Sequence, residues 1–443
     1  MRTEISLQAG DGTFHRLAAD ERPARVLALL ERVGATRLSL PSGLLWQLCE
    51  EPAAPITDLA ALRHISHHGP VPAPGAEARA AEVFGATIEH VPVAQTPLAE
   101  QMSAAAEAAV GPVDPDRVRE FLTALDDAVL GSMLLTTDAT DIDTAMSALN
   151  APPRHRIVLE RWLKALRENP GRSSDPQVVT AAWDRARAAW SGGLGSAAFV
   201  DYLRANADQL PALVSGEQQA ALILFPEGRT DLADAVYRDT ITARYLNTAV
   251  AAAVQALPRP LRVLEVGAGT GATTDAVIAA IGNAPTEYVF TDVSNFFLGI
   301  ARERLGQHPW LRFGLFDIDQ PAAGQPAVAA GGFDLIIAAG VLNNARNAND
   351  TVRELTGLLV PGGAMIITEP TREHYEILIS QAFMMTETTD VRDSADEAMF
   401  LTREQWLDVL AGARAEVVAV LPAEDHALAP LGQRLFLARR HVS

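Results

Sequence analysis

Three glycines, Gly267, Gly269 and Gly271, follow the apolar run LRVLEV and lead into the helix-forming stretch ATTDAVIAAI. A strand, a glycine-rich turn and a helix in that order make a βα unit able to cradle a phosphate or a nucleoside, because glycine permits the tight turn and a close backbone approach. The spacing is GxGxG, preceded by Glu265, and departs from the GxGxxG of dinucleotide binders. Asp292 closes the next apolar run, YVFTDVS, about twenty residues beyond the turn, where a carboxylate can accept from ribose hydroxyls. Asp317 ends LRFGLFDID and stands where it can reach an adenine amino group. Farther on, FDLIIAAGVLNNA runs into Asn343 and Asn344, LLVPGGAMIITEP ends at Glu369, and TEPTREHYEIL brings His374 with Glu373 and Tyr375 beside it. A histidine is a general base near neutral pH and a carboxylate can orient it or take the proton itself. Asparagine can hydrogen-bond an enolate or a ring nitrogen, but takes no proton.

The elements that must position these groups alternate strand and helix from Leu261 onward, as an α/β doubly wound sheet requires. AEVVAVLP and QRLFLARR read as an antiparallel strand pair closing that sheet. Upstream, from about Pro115 to Asn206, VREFLTALDDAVLGSMLL, RIVLERWLKALREN, VVTAAWDRARAAW and AAFVDYLRANADQL carry apolar residues at helical spacing. Their separators NAPPRH, NPGRSSDP and SGGLGS are rich in breakers. The first hundred residues alternate strand and helix again, as a small α/β piece. Three parts are therefore expected: 1–99, a helical lid or docking subdomain over 100–211, and the glycine-turn domain over 212–443.

The 443 residues carry a net charge of −19, which works against phosphate backbones and excludes nucleic acid as the expected substrate. No apolar run is long enough to span a membrane, and the N-terminus lacks the apolar stretch of a signal peptide, so a cytosolic protein is expected. Cys49 is the only cysteine. No internal disulfide or cysteine-based metal cluster can form, and the histidines His64, His67 and His68 have no metal-ligand company, so no metal site is expected. Arg154, His155, Arg156, Arg161, Lys164, Arg167 and Arg172 make a local basic cluster that reads as a solvated helix face or a docking face for an acidic partner.

VLEVGAGTG, FTDVS, FDID, FDLIIAAGVL and LLVPGGAMIITEP stand in the order and spacing of class I S-adenosylmethionine (SAM)-dependent methyltransferases. From about Val113 to the C-terminus the chain resembles the methyltransferase domains embedded in nonribosomal peptide and polyketide synthases. LFPEG, DVSNFFLGIARERL, GVLNNARN and TEPTREHYEILISQAFMM resemble those that methylate cysteine-derived thiazoline or thiazolidine rings in siderophore-type assembly lines. The resemblance implies a Rossmann-like fold and SAM as cofactor. Glu265, Gly267, Ala268, Gly269 and Gly271 would hold its methionine end, Asp292 with Val293 the ribose side, and Asp317 with Ile318 the adenine, with Ala339 alongside. It also implies a carrier protein bearing a thioester as partner. Related polyketide C-methylating domains carry a histidine in VLHA where this chain has Asn343, so the base must differ or the reaction must. The run from LLERVGATRLSLPSGLL to EVFGATIEHVPVAQTPLAE resembles a fragment of adenylate-forming domains. It lacks their Gly-rich phosphate loop, and the only lysine of the chain is Lys164, so adenylation is not expected of it.

A methyl sulfonium is already electrophilic, so such a protein must align a nucleophile and exclude water. A carbon nucleophile needs in addition a base and enolate stabilisation. The expected reaction is Cα-methylation, in trans, of a carrier-bound thiazoline, with His374 first among the bases and Glu369, Glu373, Asn343 and Tyr375 as companions. N-methylation of a thiazolidine or aminoacyl group, methylation of a free small molecule, and a SAM-binding scaffold without turnover are the alternatives. Phe383, Met384 and Met385 can wall a substrate pocket or pack a core.

Overall fold

The computed structural model describes residues 5–10, 13–17, 23–51, 53–69, 76–92, 97–257, 261–282, 286–385, 387–392, 394 and 398–442. The chain divides into two compact units, Met1–Gln95 with Ala423–His426, and Thr96–Pro422 with Ala427–Ser443.

In the first unit, β1 (Ile5–Ala9) and β2 (Phe14–Leu17) form an antiparallel pair. They extend a sheet completed by β3 (Ala35–Pro41), β4 (His64–Gly69) and β5 (Thr87–Pro92), in the order β2-β1-β3-β4-β5. β3, β4 and β5 are parallel, and the connections between them carry the helices Ser42–Glu50 and Ala76–Phe84. Ile5, Leu7, Leu27, Leu38, Leu45 and Ile65 make a core of their own. This unit is a small α/β layer structure, as the alternating pattern predicts. Among its histidines, His67 is buried, 3.3 Å from Glu77 and edge-on to Trp46.

The second unit begins with helices from Pro97–Val110 to Ile241–Ala256. Two start at a side-chain cap followed by proline: Asp114 accepts from the Asp116 N–H and Asp175 from the Gln177 N–H. A seven-stranded sheet follows. Its strands are β6 (Leu261–Val266), β7 (Thr286–Asp292), β8 (Leu311–Leu315), β9 (Phe333–Ala339), β10 (Leu359–Pro370), β11 (Ala415–Leu421) and β12 (Gln433–Arg440). Their order is β11-β12-β10-β9-β6-β7-β8. β6 through β10 are parallel, and β12 inserts antiparallel between β10 and β11.

Both faces of this sheet are covered, which explains the near-continuous apolar strands. Val263, Ile337 and Ile366 point to a core shared with Phe121, Trp162 and Tyr245 of the helical segment. Leu264, Ile336 and Met365 point to the opposite core with Trp406 and Phe436. The helical segment thus packs into the same core as the sheet. The strand order reverses between β6 and β9, and the parallel strand ends on either side of that reversal open the crevice where ligands of such sheets bind.

Candidate active site

The turn after β6 is built for close approach. Gly267, Gly269 and Gly271 have φ of 60°, 53° and 78°, the left-handed region that glycine adopts freely. Space demands glycine as well at Gly267, where a Cβ would lie 2.2 Å from Val341 Cγ2. The turn is tied down by its neighbours. The Ala268 N–H donates to the Thr291 carbonyl at 2.9 Å, and the Gly269 N–H to Asp292 Oδ2 at 2.9 Å, while Asp292 Oδ1 accepts from the Ser294 N–H at 2.8 Å. Burial pushes the Asp292 carboxyl up, and these backbone N–H groups hold it down in part.

Glu265 is sealed beneath the turn. Its Oε2 accepts from Thr274 Oγ1 at 2.5 Å and from the Tyr288 hydroxyl at 2.6 Å, and burial raises it to about 7. It fixes the start of the following helix, Ala272–Ile281, from below. Arg304 braces the turn from outside, donating to the Thr270 carbonyl at 2.9 Å and pairing with Asp275.

Around the rim, Val293 is exposed beside Asp292. Asp317 follows β8 with Oδ1 accepting from the Asp319 N–H, and Gln325 holds both its backbone N–H and carbonyl. Ile318 is half-buried and its carbonyl accepts from Thr351 Oγ1 at 3.3 Å. Ala339 ends β9, and the Gly340 N–H beyond it bonds the Thr368 carbonyl at 2.7 Å. Apart from Glu265, which lies enclosed under the turn with its Oε2 taken by Thr274 and Tyr288 and not open to a ligand, the expected cofactor-side residues fall at the C-terminal ends of β6 to β9.

The second half of the site follows β9 and β10. Glu369 is fully buried, and its carboxylate caps the loop after β9: Oε1 accepts from the Val341 and Leu342 N–H groups at 2.9 and 2.7 Å, and Oε2 from the Asn343 N–H at 3.3 Å. Burial raises it to about 8, with those N–H groups and Arg392 pulling the other way. Among the described residues its bonds go to the loop and none reaches His374, so it holds the loop in place.

His374 is buried, and its ring bonds the Pro430 carbonyl while Nε2 has no partner among the described residues. A carbonyl only accepts, so Nδ1 carries the proton and Nε2 presents a lone pair. Burial lowers the imidazole to about 4, with Arg372 adding to the effect, and keeps it neutral. Gly432 passes Nε2 with φ 77°, where a Cβ would come within 3.1 Å. Asn343 is 3% exposed and its Oδ1 is also without a partner among the described residues. Glu373 and Tyr375 are engaged elsewhere. Glu373 Oε2 accepts from the Met399 N–H at 2.6 Å, and the Tyr375 hydroxyl accepts from Asn169 Nδ2 at 2.8 Å. Phe383 is edge-on to His155 and Trp162, at 5.3 and 6.4 Å between ring centroids, and Met384 and Met385 pack against the same core.

Sequence reasoning missed Asp390 and Arg392, whose buried ion pair at 2.6 Å holds the loop after β9. It also misread Arg161. The expected basic cluster does not form one solvated face: Arg156 pairs with Asp143 and Glu160, Arg172 with Asp127, His155 is buried against the Val214 carbonyl, and Arg161 is 4% exposed. A signal for Arg161 was present. It lies three residues after Val158 and four before Ala165, on the apolar face of the helix Arg156–Glu168.

The methyltransferase-domain family matches residues 264–365. Pyochelin synthetase PchF of Pseudomonas aeruginosa is 33% identical over 348 residues, which cover 72% of this chain and 19% of that protein. Polyketide synthase ThaG of Burkholderia thailandensis is 34% identical over 275 residues, covering 58% of this chain and 5% of that protein. The chain thus spans less than a fifth of the length of these relatives. Among solved structures, the CurJ carbon methyltransferase superposes with a TM-score of 0.66 at 25% identity, over 78% of this chain and 98% of that one.

Proposed function

From the premise that this chain carries a SAM-dependent methyltransferase domain of the kind found in peptide and polyketide synthases, we propose that it methylates the α-carbon of a cysteine-derived thiazoline held as a thioester on a carrier protein, acting in trans. The observation that carries this reading is the extent of the likeness to a pyochelin synthetase. It runs over 348 residues and 72% of this chain, well beyond the 264–365 of the methyltransferase family.

The turn fits the methionine and ribose portions of SAM. Gly267 leaves no room for a side chain, Asp292 stands at the turn with its carboxylate held by backbone, and Val293 offers an exposed apolar flank for the base. When bound, SAM supplies an electrophilic methyl group. The chain's part is to create and align the carbon nucleophile. A neutral His374 with its Nε2 lone pair free is the base for the α-proton, acidified by the adjacent thioester and imine. Asn343, whose amide presents either its oxygen or, rotated, its NH2 into the site, steadies the ring nitrogen or the enolate oxygen. Burial of both groups keeps water from competing. The N-terminal unit is assigned no catalytic step and is read as a degenerate adenylation-like remnant with a structural or docking role.

The test is intact-mass analysis of a separately supplied carrier protein loaded with an aryl-thiazolinyl or cysteinyl thioester, incubated with the protein and deuterated-methyl SAM. One labelled methyl on the tethered substrate is expected, on carbon by fragmentation, with no turnover of the same acid free in solution. Equal turnover of the free acid would remove the carrier from the reading, and label on nitrogen would replace Cα with N-methylation.

A further inference from the structure

The loop after β9 is held by two side chains far away in sequence. Glu369 caps its N–H groups from β10. On its other side, Arg392 donates Nη1 to the Asn343 carbonyl and Nη2 to the Ala345 carbonyl, both at 2.8 Å. Asn343 is thus pinned at both its peptide groups, N–H by Glu369 and C=O by Arg392, while its side-chain Oδ1 stays buried and without a partner among the described residues. A residue fixed in this way presents its amide in one place, which is what preorganisation requires.

Arg392 is itself held. Asp390 takes its Nε and Nη2 in a bidentate pair at 2.8 and 2.6 Å, and also accepts from the Ala348 N–H at 2.9 Å. The Thr389 N–H bonds the Arg346 carbonyl at 2.7 Å. The segment 389–392 therefore lies as a strap along 343–348. The helical segment grips the strap in turn: Arg161 Nη2 donates to the Arg392 and Ser394 carbonyls at 3.0 and 3.1 Å. Buried guanidinium groups spent on backbone carbonyls are costly to desolvate, so their geometric consequence is the informative part.

We propose that Arg392 is a positioning residue for the methyl-acceptor half of the site, fixing Asn343 through its carbonyl, and that Arg161 acts through Arg392 to couple the helical segment to that loop. The assignment rests on the role given to Asn343 above. It makes the acceptor half separable from the cofactor half, because neither arginine has a bond to the glycine turn among the contacts that hold it.

The experiment compares wild type with R392A, R392K, R161M and the R392A/R161M pair, by steady-state kinetics on the carrier-bound substrate, SAM titration and hydrogen exchange. R392A is expected to lower kcat about 10- to 100-fold with SAM affinity within about twofold. R392K, able to reach one carbonyl at a time, recovers part of that loss. R161M loses about 3- to 10-fold, and on the R392A background adds no more than about twofold, because the two act in series. Amides of 341–346 exchange faster in R392A while those of 267–271 do not. Wild-type kcat in R392A, or equal loss of kcat and SAM affinity, or additive losses in the pair, would overturn the proposal. If wild type turns over no carrier-bound thiazoline, the substrate reading fails by itself. The exchange pattern then still decides the clamp: unchanged protection of 341–346 in R392A sinks it, and selective loss sustains it.

Discussion

The two halves of the site are made of different material. The cofactor half is backbone: three left-handed glycines, a turn with no room for a Cβ at Gly267, and two carboxylates that mostly hold N–H groups and hydroxyls in place. The acceptor half is side chain on backbone across long separations, with Glu369 bonding residues 26 to 28 positions away and Arg392 residues 47 and 49 away. The first half is a backbone turn braced by the strand and helix next to it, at separations of up to 34 residues. The second is a tertiary arrangement, and under the proposed function it is the half that meets the methyl acceptor. Perturbations should therefore separate cleanly into losses of SAM binding and losses of methyl transfer.

The largest separation is expected at His374. If its Nε2 lone pair takes the α-proton, His374→Ala lowers kcat by about 10² to 10⁴, with SAM affinity measured by calorimetry within about twofold of wild type. Retained turnover with label on nitrogen would instead mark a reaction that needs positioning and no base.

The mirror experiment is Gly267→Ala. The added Cβ would meet Val341 Cγ2 at 2.2 Å in a residue already at φ 60°, and clash with strain together cost several kcal/mol. SAM affinity should fall by about 10² or more. Gly269→Ala has the same left-handed backbone, with only the Gly267 carbonyl within 3.9 Å, so it carries the strain of about 1 to 2 kcal/mol alone and should weaken SAM about tenfold. Equal effects of the two would mean that the approach to Val341 does not matter, and the halves would not be joined there.

This division also explains what the sequence could and could not tell. The order of strands, the glycine turn and the carboxylates at strand ends were legible because each depends on neighbours within one βα unit. Their placement on a single rim follows from parallel strands and the reversal between β6 and β9. The partners of Glu369 were not legible, since a carboxylate at a strand end looks the same whether it faces an imidazole or a row of N–H groups. Arg161 was hidden among solvated neighbours, although its helical phase with Val158 and Ala165 placed it inside. Asp390 and Arg392 lie in a stretch, ETTDVRDSADE, whose polarity reads as an ordinary loop. Only the fold brings Asp390 and Arg392 over the loop after β9.

The acceptor half should also show in the pH dependence of stability. Burial lowers native His374 to about 4 from its ordinary 6.5, so between those values the unfolded chain binds a proton that the native one refuses. Stability is full above pH 6.5 and declines as pH falls towards 4, by at most about 3 kcal/mol from this residue. His374→Gln should flatten the slope of urea-unfolding free energy across that window. An unchanged slope would mean that the native imidazole takes up its proton as the unfolded one does, and that burial does not hold it neutral.

The smallest effect is expected beneath the glycine turn, at Thr274. Its hydroxyl and that of Tyr288 are the two donors to Glu265 Oε2, a fully enclosed acceptor. Thr274→Val removes one donor and keeps the shape, which costs about 1 to 2 kcal/mol when the abandoned group is buried. Burial already raises Glu265 to about 7, and losing a donor to the charged form raises it further. The variant should therefore lose stability mainly above neutral pH, where the carboxylate must ionise without its second partner, and lose little below it. Thermal unfolding at pH 6 and pH 8.5 reads this directly. Because Thr274 lies on the cofactor side, kcat at saturating SAM should hold within about twofold at pH 6. A fall in kcat there without a fall in SAM affinity would show that the turn and the acceptor loop, in contact at Gly267 and Val341, move as one body.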